Sequence, residues 1–161
     1  MMKVRYILMF FSFCFFITCA EKKTEVKEIV MNLQKYDIYP EKEDKKILVI
    51  VPIEGCDACF NVTFKFIKNE LSEFSPNSAN FVVVFTKYRS LKYLNLTIGD
   101  YMYYHPSVIV DSLRYFSDLS KPKVILYADQ SKSYEVNFEN FQYVYDEVVE
   151  FLFADTYELN N

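Results

Sequence analysis

Two unbroken apolar runs stand at the centre of the chain. "KILVIVPI" covers residues 46–53, and "NFVVVFTK" covers residues 80–87. Continuous runs rich in β-branched residues are typical of strands that are buried on both faces of a sheet. The segment between them predicts a helix, because four apolar residues fall on one helical face: Phe60, Phe64, Ile67 and Leu71. A strand, a helix and a strand with short connections form a βαβ unit, so the two strands are predicted to be parallel.

The second half of the chain continues this alternation with shorter elements. Residues 88–99 predict a helix that ends near Gly99, and "PSVIVD" at 106–111 predicts a short strand. Residues 122–136 predict a hairpin, since turn residues separate two strand-like runs. The last predicted helix carries a core-facing stripe: Phe141, Val144, Val148, Phe151 and Leu152. The predicted fold class is α/β, with a central mixed sheet of parallel strands and a C-terminal hairpin, flanked by helices.

The first residues have the pattern of an export signal. Lys3 and Arg5 precede the apolar run "YILMFFSFCFFITC", and the sequence then turns abruptly polar. A short positive region followed by about 7–15 apolar residues is typical of a secretory signal. The run is shorter than the roughly 20 residues that favour a membrane-spanning helix.

Cys19 stands where the apolar run meets the polar sequence. This arrangement resembles a bacterial lipoprotein signal, in which a peptidase cuts just before a lipidated cysteine. The resemblance implies a signal peptide at 1–18, a membrane tether at 19–45 and a folded domain at 46–161. It also implies a lipid-anchored protein of the bacterial cell envelope that faces the periplasm or the exterior. An ordinary cleaved signal and an uncleaved anchor are the alternatives.

The tether and the overall charge add two expectations. Apolar residues at helical spacing predict a short helix in the tether: Val26, Ile29, Val30 and Leu33. The formal net charge is -4, and no basic stripe of the kind that nucleic acid requires is present. The chain is therefore not expected to bind nucleic acid.

Cys56 and Cys59 form a CxxC pair at the first strand-to-helix junction. Cys56 is predicted to begin the helix, where free N–H groups and the helix dipole lower a thiol pKa by roughly one unit. Cys59 lies one turn further and can close or resolve a disulfide. Glu54 and Asp57 are negative and are expected to oppose a thiolate at Cys56, so the lowering should be modest. An exported compartment is oxidising and permits a disulfide.

The order of elements, with this pair at the first junction, resembles the thioredoxin-like fold over about residues 46–153. The resemblance implies that Cys56 attacks a substrate sulfur and Cys59 resolves the mixed disulfide. It implies a cis proline before the hairpin, matched by Pro122, with Pro106 as the competing candidate. Lys121, which precedes Pro122, could offset the charge of Asp57.

The resemblance further implies a substrate groove formed by Gly55, Lys121 and Pro122. Gly55 stands where the family usually has Trp, and Asp57-Ala58 stand where it often has Gly-Pro. The implied partners are protein thiols or disulfides, or a redox partner protein, together with a membrane through the lipid anchor. No cofactor is implied, because the cysteines carry the electrons.

Two other interpretations of the cysteine pair are a zinc site and a structural disulfide. A zinc site usually needs four ligands, whereas the mature domain offers one CxxC pair and His105. No metal site is therefore predicted. The serious alternative is a non-enzymatic surface lipoprotein, a binding or assembly module of the same fold in which the disulfide is structural. The favoured hypothesis is an exported, membrane-anchored thiol–disulfide oxidoreductase.

Overall fold

The computed structural model describes residues 25–38, 45–70, 80–128 and 131–158. The chain divides into two compact units, Met1–Tyr39 and Pro40–Asn161. In the first unit, helix α1 spans residues 25–34, which confirms the helix predicted in this stretch. Its apolar face is buried at Val26, Ile29 and Leu33. Cys19 and the export-signal pattern lie outside the described residues.

No helix in the described ranges combines the length and the hydropathy that crossing a membrane requires.

The second unit is a mixed α/β fold. Its elements, in chain order, are β1 (Lys46–Pro52), α2 (Asp57–Glu70), β2 (Phe81–Thr86), α3 (Leu91–Ile98), α4 (Asp100–Tyr103), β3 (Val108–Val110), β4 (Lys123–Tyr127), β5 (Lys132–Glu135) and α5 (Phe141–Glu158). The strands form one sheet in the order β3-β2-β1-β4-β5. β1, β2 and β3 are parallel, whereas β4 and β5 are antiparallel to their neighbours. The predicted fold class, the parallel β1–β2 pair and the C-terminal hairpin are confirmed.

β1 lies at the centre of the sheet and is the most deeply buried strand. Residues 47–51 are all 0% exposed, which explains why the sequence carries an unbroken apolar run rather than an alternating one. β2 is buried in the same way, apart from Val82. In α5, Val144 and Val148 are buried and the other three predicted stripe residues pack against the core. The predicted core face of α5 is therefore confirmed.

The buried face of α2 includes the predicted one and is wider. Cys59, Thr63, Phe66 and Ile67 are buried, whereas Phe60 and Phe64 are only partly buried. The phenyl rings of Phe60 and Phe64 stack with centroids 5.2 Å apart, and the Phe64 ring also meets the Phe85 ring of β2 edge-on at 6.2 Å. Phe60 and Phe64 pack against the core and Ile67 is buried. The predicted face is therefore confirmed at these three positions, and Leu71 lies outside the described residues.

The connection between β2 and β3 holds one helix more than the sequence predicted. Ser90 caps α3 by accepting the Tyr93 N–H at 3.1 Å, and Gly99 ends it with φ of 83°. The short α4 follows directly.

Candidate redox site

The candidate site lies at the carboxyl edge of the three parallel strands. Cys56 follows β1, Thr86 ends β2, and Asp111 follows β3. Backbone hydrogen bonds continue past the strand ends: the Ile53 N–H donates to the Thr86 carbonyl at 2.9 Å, and the Asp111 N–H donates to the Phe85 carbonyl at 2.9 Å. The turn that leads into the cysteines is thereby fixed to the end of β2.

Cys56 and Cys59 are joined by a disulfide, with their Cα atoms 5.2 Å apart. The Cys56 carbonyl accepts the Phe60 N–H at 2.8 Å, so Cys56 is the N-cap residue of α2. Its Sγ accepts the Cys59 N–H at 3.3 Å, in the place where a cap oxygen usually accepts. A free N–H at a helix start also stabilises negative charge, and this donor is therefore placed to support a thiolate on Cys56 after reduction.

The two sulfurs differ in their access to solvent. Cys59 is 2% exposed and faces the core, whereas Cys56 is partly exposed. A reagent or partner coming from solvent therefore meets Cys56 first. Access is one of the factors that set which sulfur reacts first in thiol–disulfide exchange.

Gly55 packs against the segment that precedes Pro122. Its φ is +152°, and a Cβ atom at this position would lie 2.4 Å from the Ser120 carbonyl oxygen. No larger residue fits there without moving one of the two backbones. This contact explains why the position requires glycine, and it places the Gly55 turn against the residue that precedes Lys121.

Pro122 lies beside the end of β1, as the antiparallel pairing of Lys123 with Ile50 requires. It is buried, and its carbonyl accepts the Val136 N–H at 2.8 Å. Among the described residues every peptide bond is trans, so the prediction of a cis Lys121–Pro122 bond was wrong. Trans is the lower-energy isomer of an X–Pro bond by about 0.5–1 kcal/mol, and the trans segment already brings Ser120 against Gly55. The trans geometry also holds for Pro106, which precedes β3.

Ion pairs change the expected electrostatics of the site. The Glu54 carboxylate binds Arg89 at 2.7 Å, so a cation partly offsets its charge. Lys121 binds Glu135 of β5 at 2.8 Å, so a carboxylate of the hairpin partly offsets its charge. Asp57 is exposed and is the first residue of α2.

Asp111 is a buried site residue that sequence reasoning missed. It is 1% exposed, and its carboxylate accepts the Thr86 hydroxyl at 2.6 Å and the N–H groups of Tyr115 at 2.9 Å and Phe116 at 3.0 Å. Burial raises the pKa of nearby Tyr88, and the Asp111 charge raises it further. The signal was available in "VVVFT" and "VIVD", where a polar residue directly ends a buried run at the same edge of the sheet.

His105 lies away from the cysteines. It precedes β3, whereas Cys56 follows the parallel strand β1, so the two residues belong to opposite edges of the sheet. Its Nδ1 accepts the Ser107 N–H at 3.1 Å. Within the described ranges, no group of three or more His, Cys, Asp or Glu residues is arranged to hold a metal ion.

The arrangement at this edge is suited to reversible disulfide exchange. It holds a partly exposed sulfur at a helix start, bonded to a buried sulfur one turn further along. No protein-family model, no curated protein and no solved structure matches the chain.

Proposed function

We propose that the protein is an exported, lipid-anchored thiol–disulfide oxidoreductase with a thioredoxin-like domain. The observation that carries the proposal is the asymmetry of the pair: Cys56 is partly exposed and its Sγ accepts the Cys59 N–H, while Cys59 itself is buried. The strand order and directions support the fold, because a parallel βαβ unit adjoins an antiparallel hairpin. Cys56 would therefore attack and Cys59 would resolve.

The exchange reaction balances with the two cysteines alone. The Cys56 thiolate attacks one sulfur of a substrate disulfide, a Cys56–substrate bond forms, and the other substrate sulfur leaves as a thiolate that takes a proton. Cys59 then loses its proton and attacks Cys56, which closes the Cys56–Cys59 bond and releases the second substrate thiol. Two electrons have passed to the substrate, and a dithiol protein must return two to the pair. The same steps run in reverse for a dithiol substrate.

The substrate groove is assigned to Gly55, Lys121 and Pro122. Gly55 has no side chain to cover Cys56, and Lys121 and Pro122 follow the Ser120 carbonyl that packs against it. The proposed partners are protein thiols or disulfides presented near the membrane, since Cys19 would carry the lipid anchor.

Trapping distinguishes this proposal from a passive disulfide. The variant Cys59→Ser should hold a substrate as a mixed disulfide on Cys56, because the resolving thiol is gone, whereas Cys56→Ser should trap nothing. Mass spectrometry of non-reduced adducts measures both. In the reduced wild-type protein, iodoacetamide near neutral pH should label Cys56 before Cys59. Equal labelling with no adduct in either variant would support the alternative, a binding or assembly module with a structural disulfide.

The anchor is tested separately. Cys19→Ser should release the protein from the membrane fraction or block its processing, because the acceptor thiol for the lipid is missing. Cys14→Ser is the matched control and should leave fractionation unchanged. Normal processing and membrane retention of Cys19→Ser would refute lipidation at this residue without affecting the redox proposal.

A further inference from the structure

Asp111 joins the two segments that flank the cysteine turn. Its carboxylate accepts the hydroxyl of Thr86, which is the last residue of β2, and the N–H groups of Tyr115 and Phe116 in the loop after β3. Both Asp111 and Thr86 are buried, at 1% and 0% exposure. Hydrogen bonds to a buried charged acceptor are stronger than neutral ones, so this junction is rigid.

Each of the two joined segments touches the turn that carries Cys56. On one side, the Thr86 carbonyl accepts the Ile53 N–H at 2.9 Å. On the other side, the loop that begins at Asp111 brings the Ser120 carbonyl oxygen against Gly55, 2.4 Å from where a Cβ atom would lie. The segment from Ile53 to Cys56 is therefore held between two pieces of backbone that a single carboxylate ties together.

We propose that Asp111 is a positioning residue of the redox pair, which favours disulfide closure by fixing the turn around Cys56 in the dithiol form. Closure requires the two Cα atoms to be held about as they are in the disulfide, 5.2 Å apart. A turn that is already ordered in the reduced protein loses less conformational entropy on closure, which raises the effective concentration of one thiol at the other. The inference rests on the proposed function only in treating the pair as one that can be reduced and reoxidised.

A purely structural role for Asp111 predicts a different result. Such a role would lower the stability of the reduced and the oxidised protein equally, and the equilibrium of the pair would not change. In a positioning role, the stability contribution of Asp111 and the closure equilibrium of the cysteine pair depend on each other. By reciprocity, if Asp111 favours closure, closure must strengthen the contribution of Asp111 to stability by the same free energy.

The test measures this coupling in two independent ways. Asp111→Asn should make the equilibrium constant for closure about tenfold smaller, which makes the reduction potential about 30 mV less negative. The potential is measured by equilibration with dithiothreitol buffers, which requires no enzymatic turnover. Urea unfolding of the reduced and oxidised forms should then show that the substitution costs about 1.4 kcal/mol more in the oxidised form, which is the same tenfold factor.

Matched variants keep the test decisive. Thr86→Val removes the hydroxyl donor at constant shape and should shift the potential in the same direction, at least threefold in equilibrium constant. Thr86→Ser restores the hydroxyl and should stay within twofold of wild type. Asp118→Asn, an exposed acid on the same loop, should also stay within twofold. If Asp111→Asn fails to fold, Thr86→Val carries the measurement.

The result that overturns the inference is equally specific. If Asp111→Asn and Thr86→Val lower stability equally in both redox forms and leave the potential unchanged, Asp111 is only structural. That outcome would leave the proposed function intact, since trapping by Cys59→Ser does not depend on it. Conversely, a shifted potential with no trapped partner would support the positioning role and refute the enzymatic proposal.

Discussion

Polar side chains in two regions of the second unit, the cysteine edge and the hairpin layer, differ in their hydrogen-bond partners. We define the cysteine edge as Thr86, the last residue of β2, with the loops after β1, β2 and β3. The hairpin layer is β4, β5 and α5 with the residues of α2 that face them. Thr86, at the cysteine edge, is buried and donates its hydroxyl to Asp111. Thr63 borders a small apolar pocket in the hairpin layer, and its buried hydroxyl has no partner among the described residues.

The carboxylates of the two regions also differ in their burial and in their hydrogen-bond donors. Asp111 is buried, and its donors include the backbone N–H groups of Tyr115 and Phe116. Glu147 of α5 lies near the surface, and its donors are the side chains of Lys132 and Tyr134, at 2.8 and 2.5 Å. Asp111 therefore fixes backbone, whereas Glu147 joins side chains. The difference indicates that the Asp111 carboxylate contributes to a defined loop geometry and the Glu147 carboxylate to contacts between side chains.

Gly55→Ala should have the largest effect of any substitution considered. The added methyl group would collide with the Ser120 carbonyl, and the φ of +152° is itself unfavourable for alanine. The combined cost is about 3–5 kcal/mol of unfolding free energy. Urea unfolding measures it. Gly99→Ala is the matched control, because its φ is +83° but no atom lies within 4 Å of the new Cβ, and it should cost about 1–2 kcal/mol. Equal costs would show that the contact with Ser120 is not tight.

The fold was more predictable from the sequence than the site. Apolar runs determine which strands are buried on both faces, so β1, β2 and the hairpin followed directly from the pattern. The pairing of Gly55 with Ser120 joins segments far apart in the chain, and no local signal reports such a contact. In α2 the periodicity missed the buried residues Cys59 and Thr63, because it weighs large apolar side chains and these two are small.

The residues of the candidate site also differ in how far the sequence predicted them. Cys56 and Cys59 were identified because CxxC after a strand has a local explanation, and the structure joins them in a disulfide. Asp111 and Thr86 were missed because each is a single polar residue, and only the register of β2 and β3 places them side by side. The cis Pro122 prediction was wrong because it came from the resemblance and not from these residues.

Thr63→Val and Thr86→Val, the same substitution in the two regions, should change stability in opposite directions. Thr63→Val removes a buried hydroxyl that has no described partner and should stabilise the protein by about 1 kcal/mol. Thr86→Val breaks a hydrogen bond to a buried carboxylate and should destabilise it by roughly 2 kcal/mol. Thermal unfolding of both variants measures the contrast. Loss of stability in both would mean that the Thr63 hydroxyl has a partner outside the described residues.

Glu147→Gln should show that the stability contributed by the Glu147 carboxylate depends on pH. Hydrogen bonds from Lys132 and then Tyr134 lower the pKa of Glu147 from 4.5 to about 2. Its contribution to stability is therefore present above about pH 4.5 and is lost as the pH falls through about 2. At pH 7 the substitution should cost about 1 kcal/mol, a value reduced for the solvent that screens the exposed Lys132.

The pH dependence of this difference is the informative measurement. The gap in unfolding free energy between wild type and Glu147→Gln should close between pH 4.5 and pH 2. Glu150→Gln, an exposed residue of the same helix, should show a smaller gap at pH 7. A gap for Glu147→Gln that persists unchanged at pH 2 would mean that shape, and not the carboxylate charge, is what Glu147 contributes.

Lys87→Gly should have the smallest effect, and it should be stabilising. In the described part of the second unit, the non-glycine residues with positive φ are Lys87 and Arg114, at 53° and 59°, and both lie on the cysteine edge. The left-handed conformation is unfavourable for a residue with a Cβ atom, and glycine removes that cost while adding flexibility to the unfolded chain. The net gain is about 0.5 kcal/mol, measured by urea unfolding. Lys92→Gly, in the exposed face of α3, should instead lose about 1 kcal/mol. If both substitutions destabilise equally, the Lys87 conformation is not strained, and the cysteine edge differs from the hairpin layer in its hydrogen bonds alone.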